Sequence, residues 1–445
     1  MARLNPPDTV LEIAAQLEKA GFETWCVGGA IRDVLLGHPH LDWDLATSAT
    51  PPQMRELFGS RRTVPIGVEF GTVGVLDRNG TMHEVTTFRR DVRTDGRHAL
   101  VEFGVSLDDD LARRDFTINA IAFSPKLDEI RDPFGGQADI ARKLIRAVGD
   151  PEARMREDRL RALRAIRFAA RFDFAIEDAT HRAIESSAQH LGRLSAERVK
   201  QELDKTMEQV RCPSAALTVW QSTGAFASLV PPLAGVTADS FAVVDLLAMP
   251  GLSTRPARRA LRFAALLLPL SPASAGDVLT KLKASRNEIQ RVVSLVDNWH
   301  RYGADIGTAL NANVPDAVSI RRWVAAIGRL DIGSFMRLAS AVWAAGRQRG
   351  EDAPEPHAVH SLYRRMVRTA FRDPIDLGAL AVDGDDLRRI GIPAGRGLGM
   401  ILQALLEIVI ADPRKNTSDY LLVEARHAEE RLRLENVGRG HSQET

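Results

Sequence analysis

The sequence predicts an α+β protein, on three observations. Residues 28–145 alternate short β-rich runs with glycine turns, these strand signals stop near residue 146, and helical periodicity runs through the remaining two thirds of the chain. At roughly 150 residues per domain, 445 residues allow about three domains. The composition is 44% hydrophobic, 26% charged and 6% aromatic, that of an ordinary globular protein, which excludes disordered and collagenous classes. With 59 Lys+Arg against 58 Asp+Glu the net charge is +1, so no overall cationic field exists and any nucleic-acid site is local.

The first element expected is a helix over residues 10–20, where Val10, Ile13, Ala14 and Leu17 recur at helical spacing before Gly21. A short strand follows at residues 24–27, then a diglycine turn. Thr50 before Pro51 and Pro52 is an N-cap with proline in the first turn and predicts a helix to Phe58. Further strands are expected over residues 41–46, 71–76, 82–88 and 118–123. Leu160, Leu163, Ile166, Phe168 and Ala169 predict one long amphipathic helix, and the Ser285 to Glu288 capping box opens another through Trp299. Residues 351–357 read as a surface connection, several glycines punctuate a last helical module from Gly384, and the polar residues 437–445 are expected to be disordered.

The apolar runs Phe263 to Leu270 and Met400 to Ile410 fall short of the ~20 residues that span a bilayer, so no membrane partner is expected. The N-terminal residues Met1 to Pro7 lack the apolar core of an export signal. Cys26 and Cys212 show neither pairing nor zinc-ligand spacing, so no disulfide partner is expected and a cytoplasmic location fits.

Two constellations carry chemistry. On a strand over residues 41–45, Asp42 and Asp44 would share one face while Leu41, Trp43 and Leu45 pack on the other. Two anions held so close call for cations, and their oxygens suit Mg2+ completed by water and phosphate. The Gly28-Gly29 turn lets backbone N–H groups approach a phosphate, with Arg32 adding charge one turn on. It lacks the P-loop lysine and the dinucleotide-binding spacing, against ATPase and dehydrogenase readings. Glu84 could be a third carboxylate facing the pair. Read as one continuous helix, Glu157, Arg161 and Arg164 fall on a 60° stripe with Asp158 beside it, whereas Arg167 points away. Such a face is either a solvated set of ion pairs or a reader of base edges. A carboxylate accepting an exocyclic amine beside an arginine donating to a ring nitrogen suits cytosine and adenine and mismatches uracil and guanine. The polar cluster Arg113 to Ala120 is either a capped turn or part of the same site.

Gly28-Gly29-Ala30-Ile31-Arg32-Asp33, Asp42-Trp43-Asp44, Phe70-Gly71-Thr72-Val73, Glu84 to Arg89, Asp95-Gly96-Arg97, Arg113 to Ala120, Asp132 to Gly136 and Glu157-Asp158-x-x-Arg161 stand in one collinear series. Together they resemble the bacterial class II CCA-adding tRNA nucleotidyltransferases of the polymerase-β-like superfamily. That resemblance implies a catalytic head (1–145), a helical neck that recognises the base (146–212), a body (213–372) and a tRNA-binding tail (373–445). It implies that Asp42 and Asp44 are catalytic and hold Mg2+. The nucleotide set it implies is Gly29, Arg32, Arg114, Asp158, Arg161, Arg164 and Arg167, with Glu157 steadying Arg161. CTP and ATP would be joined to the acceptor arm of tRNA by two-metal phosphoryl transfer, without a nucleic-acid template or a covalent intermediate. The segment 89–101 resembles the flexible loop of the C-to-A switch. An A-adding enzyme or poly(A) polymerase shares every head motif, and a non-catalytic RNA-binding protein is the reading from another class.

Overall fold

The computed structural model describes residues 4–38, 42–94, 99–247, 255–312 and 315–440. The chain packs as two compact units, one of residues 1–241 with 277–285 and the other of 242–276 with 286–445.

The first unit opens with α1 (Asp8–Lys19), β1 (Thr24–Val27), α2 (Gly29–Leu35), β2 (Asp44–Thr47) and α3 (Pro51–Phe58). The expected cap on α3 is a full capping box, with Thr50 and Gln53 satisfying each other's backbone donors. Next come β3 (Thr63–Gly67), β4 (Thr72–Leu76), β5 (Met82–Thr87), β6 (Arg89–Thr94), β7 (Ala99–Phe103), α4 (Leu107–Ala112), β8 (Ala122–Ser124), β9 (Glu129–Arg131) and α5 (Gly136–Ala141). Among the described residues seven strands form one mixed sheet in the order β3-β4-β5-β2-β1-β8-β9. Its centre pairs β1 antiparallel to β2, with Val27 opposite Asp44, and β2 parallel to β5, with Leu45 opposite Val85.

Alternation along these strands feeds two cores. Cys26, Leu45 and Val85 face one, with Ile13, Leu17 and Trp43; Val27 and Ala46 face the other, with Phe88, Leu111 and Val148. Both cysteines are free, Cys26 buried and Cys212 exposed. The unit continues through β10 (Leu144–Ile145), α6 (Pro151–Glu157), α7 (Leu160–Phe172), β11 (Ala175–Ile176), α8 (Asp178–Ala188) and α9 (Ala196–Gln209).

The second unit is helical, with helices including Arg286–Ala312, Ile332–Gln348 and Pro356–Arg372, then Arg396–Ala411 and Ser418–Gly440 about a core of Leu387, Leu405, Val409 and Leu421. No helix of the described residues is long and apolar enough to cross a membrane.

Several expectations change. The strand expected at 41–46 starts at Asp44, with Leu41 outside the described residues. That expected at 118–123 is a 3-10 turn, Thr117–Asn119, followed by β8. Gly136 explains the turn: a Cβ there would stand 2.2 Å from the Thr117 carbonyl oxygen, so only glycine lets the two backbones approach. Strand structure persists beyond residue 146 in β11, which pairs parallel with β10. The segment expected as a loop at 89–101 is an antiparallel pair, β6 with β7; Asp95, Gly96 and Arg97 between them lie outside the described residues. The last helix extends through residue 440, and 441–445 lie outside the described residues.

Candidate active site

The ends of β1, β2 and β5 meet α2, the turn after α4 and α7 around a cavity of about 540 Å3. Asp44 and Glu84 enter it from adjacent parallel strands. Burial, reinforced by Glu84 and Asp42 and opposed by Arg114, pushes the Asp44 carboxyl from 3.8 up to about 7. Asp42 differs from the sequence expectation: it precedes β2, is exposed, and does not line the cavity, because the strand geometry that would place it on the Asp44 face begins only at Asp44. Trp43 and Leu45 pack on the opposite face as expected.

Among the described residues no three Asp, Glu, His or Cys side chains form a ready-made metal cage. The donor set is instead a few carboxylate oxygens, one of them protonating far too readily for a bare anion. That suits a hard cation that keeps water and phosphate among its ligands.

Gly28 caps α2 at φ 81°, ψ −141°. A Cβ there would stand 3.3 Å from Arg114 Nη1, which would have to give by a few tenths of an ångström, and in ordinary contact, 3.6 Å, with Asp44 Oδ2, so glycine is needed chiefly for the positive-φ backbone. Gly29 starts α2 and lines the cavity with Arg32. Arg32 is buried; its Nε donates to Asp33 Oδ1 at 2.8 Å and its Nη1 donates to Asn119 Oδ1. Burial lowers its pKa against the pull of Asp33. Asn119 in turn donates to Asp115 Oδ1 at 2.9 Å, and Arg164 Nε donates to Asp115 Oδ2 at 2.8 Å. Burial is the largest influence on Asp115 and pushes its carboxyl up, but Arg164, Asn119 and Arg161 together outweigh it and hold the carboxyl below its ordinary value. Arg164 is raised by the same partner. Arg114 donates to Asp110 at 3.1 Å.

The base-reading stripe is built differently from the expectation. The helix breaks at Asp158, which has extended backbone after α6 and whose Oδ1 accepts from Leu160 N–H at 3.0 Å, opening α7. Glu157 and Asp158 therefore lie outside the helix that carries the arginines. Glu157 bridges Arg154 and Arg161, each at 2.6 Å, while Asp158 pairs with Arg198 at 2.7 Å. Arg161 Nη1 also donates to the Arg154 carbonyl and its Nη2 to that of Arg113, at 3.2 and 3.0 Å. Arg161, Arg164 and Arg167 all line the cavity. Arg167 does not point away: it is 3% exposed and pairs with Glu202 on α9 at 2.6 Å, so the cavity wraps about 120° of α7 rather than one narrow stripe. Sequence reasoning assigned no role to Asp115, Asn119, Arg171 or Glu202. Asp115 and Asn119 sit inside a motif it singled out, but no local spacing connects Glu202 to α7.

The same chain matches the family described as the poly A polymerase head domain over residues 24–146 and that described as a probable RNA and SrmB-binding site of polymerase A over 173–235. The CCA-adding enzyme of Latilactobacillus sakei subsp. sakei is 33% identical over 429 residues, 94% of this chain and 97% of that protein. The chain belongs to the CCA-adding enzyme family. Several relatives match at higher identity over less: the chain spans about half the length of the Geobacillus thermodenitrificans CCA-adding enzyme, 45% identical over 210 residues, 46% of this chain and 50% of that protein. The crystal structure of the Bacillus stearothermophilus CCA-adding enzyme in complex with CTP superposes with TM-score 0.75 at 31% identity, covering 97% of this chain and all of that one. Nucleotidyltransferases of this family generally use a divalent metal ion.

Proposed function

We propose that this protein adds C, C and A from CTP and ATP to the 3′ end of tRNA, selecting each nucleotide with side chains instead of a nucleic-acid template. The observation that carries this reading is the convergence of Asp44 and Glu84 with Arg32, Asp158, Arg161, Arg164 and Arg167 in one cavity. Carboxylates for a reacting phosphate and polar groups for a base edge line the same cavity of about 540 Å3. The CTP complex of the related Bacillus enzyme supports it.

In this reading Asp42 and Asp44 would hold Mg2+: Asp42 lies outside the cavity lining but close enough to Asp44 to push its carboxyl up, and Glu84 is a further carboxylate on the neighbouring strand. Bound there, divalent ions would supply Lewis-acid activation of the RNA 3′-hydroxyl and neutralise charge at the departing pyrophosphate. Gly29 offers its backbone to the triphosphate and Arg32 and Arg114 bind its charge. Asp158 accepts from the exocyclic amine of cytosine or adenine, and Arg161 donates to the neighbouring ring nitrogen. Three of the five Arg161 N–H groups are held by Glu157 and two carbonyls, which fixes the guanidinium plane; Nε–H and one Nη2–H remain for the base. Uracil and guanine reverse both edges and leave these groups unpaired, which costs more than the bond gained by the right base. Arg164 and Arg167 complete the nucleotide set.

The division into head (1–145), neck (146–212), body (213–372) and tail (373–445), with the tail on the tRNA, and a cytoplasmic location belong to the same proposal. The test is incorporation of labelled CTP and ATP into tRNA transcripts truncated before, within and after the two cytidines, with and without a chelator. Incorporation of both, restored by Mg2+ after chelation, is expected. Adenosine alone points to an A-adding or poly(A)-type enzyme, and no incorporation refutes the reading.

A further inference from the structure

Phe168 reads from its spacing as a core position of α7, but its ring lies in the wall of the cavity. It is 5% exposed, and three guanidinium groups stand over it: Arg32 at 5.2 Å, Arg164 at 5.3 Å and Arg167 at 4.3 Å from the ring centre. One turn on, Phe172 stacks on it with centres 5.8 Å apart and planes 9° from parallel. Phe172 supports Arg32 at 4.8 Å and Arg171 at 5.0 Å. Phe116 closes the far side edge-on at 5.9 Å.

Four cations therefore crowd one wall, and three carboxylates face them: Asp33 against Arg32 and Arg171, Asp115 against Arg164, and Glu202 against Arg167. These polar contacts hold the guanidinium edges, Arg32 by Asp33 and Asn119, Arg164 by Asp115 and Arg167 by Glu202, and leave the flat faces to be packed. An aromatic face attracts a cation through its quadrupole and favours a guanidinium lying over it, so it packs those faces without adding an anion that would repel a triphosphate. Arg32 comes from the sheet side and Arg164 and Arg167 from α7, so a single ring joins the group proposed to grip phosphate to two groups of the base-recognising helix.

We infer that Phe168 is a positioning residue for nucleotide selection, its ring aligning Arg32, Arg164 and Arg167 for the incoming triphosphate, with Phe172 aligning Arg32 and Arg171 alone. This rests on the nucleotide-addition reading above.

The experiment is steady-state CMP and AMP incorporation on truncated tRNA transcripts, with UTP and GTP as competitors, for wild type, Phe168→Leu, Phe168→Tyr and Phe172→Leu. Leucine keeps apolar volume and removes the ring face. Phe168→Leu is expected to raise KM for CTP and ATP about tenfold, to change kcat less, and to weaken discrimination against UTP and GTP. Phe168→Tyr retains both properties. Phe172→Leu raises KM for all nucleotides with discrimination unchanged, since the guanidinium groups over its ring are those of Arg32 and Arg171 and not those of Arg164 and Arg167. A purely structural role would lower melting temperature in Phe168→Leu without moving the discrimination ratio, and that result overturns the inference, as does Phe168→Tyr losing as much as Phe168→Leu. If Phe168→Leu does not fold, Phe172→Leu with wild-type KM overturns it. A wild-type enzyme inert toward both CTP and ATP overturns the functional reading itself, whereas an active wild type with unaffected variants overturns this inference alone.

Discussion

Asp44 makes the ion-free protein work against itself, and the amount can be put to test with Asp44→Asn. The folded protein raises this carboxyl from 3.8 to about 7. Between those values the folded state keeps a proton that the unfolded chain has released, so stability falls as pH rises through the window. At about 1.36 kcal/mol per pH unit, a rise of about three units sets a ceiling of about 4 kcal/mol above neutral pH. Asp44 is half-buried, and solvent reaching it lowers the effective penalty to about 2 kcal/mol. Asparagine keeps the shape and never ionises. Denaturant midpoints for both proteins with a chelator present, at about pH 5 and about pH 8, isolate the effect, with its coupling to Glu84 and Asp42, as a double difference in which titrating groups remote from Asp44 cancel. The variant should gain about 1–3 kcal/mol on the wild type on going to the higher pH, and excess Mg2+ should restore the wild type but not the variant. Equal pH dependence in the two proteins would refute the reasoning.

Asp42→Ala should abolish incorporation while leaving tRNA binding in a filter or gel-shift assay largely intact; retained turnover would remove it from the metal pair. Arg161→Ala should raise misincorporation of UMP and GMP by about ten- to a hundredfold, read by competition between nucleotides, because it removes a donor that only cytosine and adenine accept. Gly28→Ala should lower kcat about five- to thirtyfold and stability by about 1–2 kcal/mol, since the methyl strains a positive-φ turn and presses on Arg114; thermal melting alongside kinetics checks both. Asp115→Ala removes the main partner of half-buried Arg164, leaving Glu202 at 3.9 Å, and should destabilise the first unit by about 1–3 kcal/mol in denaturant titration.

Much of this site was legible in the sequence because it is written locally. The Gly28-Gly29 turn, the cap at Thr50 and the apolar face of α7 each follow from short-range preferences, and the helix expected from Thr50 to Phe58 spans Pro51–Phe58. Asp44 with its buried flanks followed from strand alternation. Two errors came from extending a period through a break. The stripe on α7 was drawn through Asp158, whose side chain caps the next helix instead of continuing the last. Asp42 was placed on a strand that begins two residues later. Angular position on an isolated helix says nothing of what faces it, so the place of Arg167 needs the fold, in which Glu202 reaches it across 35 residues of chain. Asn119 and Asp115, which link Arg32 to Arg164, needed the fold to bring their partners within reach. Phe168 has the spacing of an ordinary core residue, and only its neighbours reveal the cations over it.

The central claim is that one protein cavity both holds the reacting phosphate and chooses the base. Sequencing the 3′ ends of a CCA-less tRNA transcript after incubation with all four nucleotides and Mg2+ tests it most directly. The account predicts that the dominant product ends in CCA and that Arg161→Ala yields mixed ends on the same transcript. Ends extended with uridine or guanosine by the wild type, or ends left unextended, would contradict it.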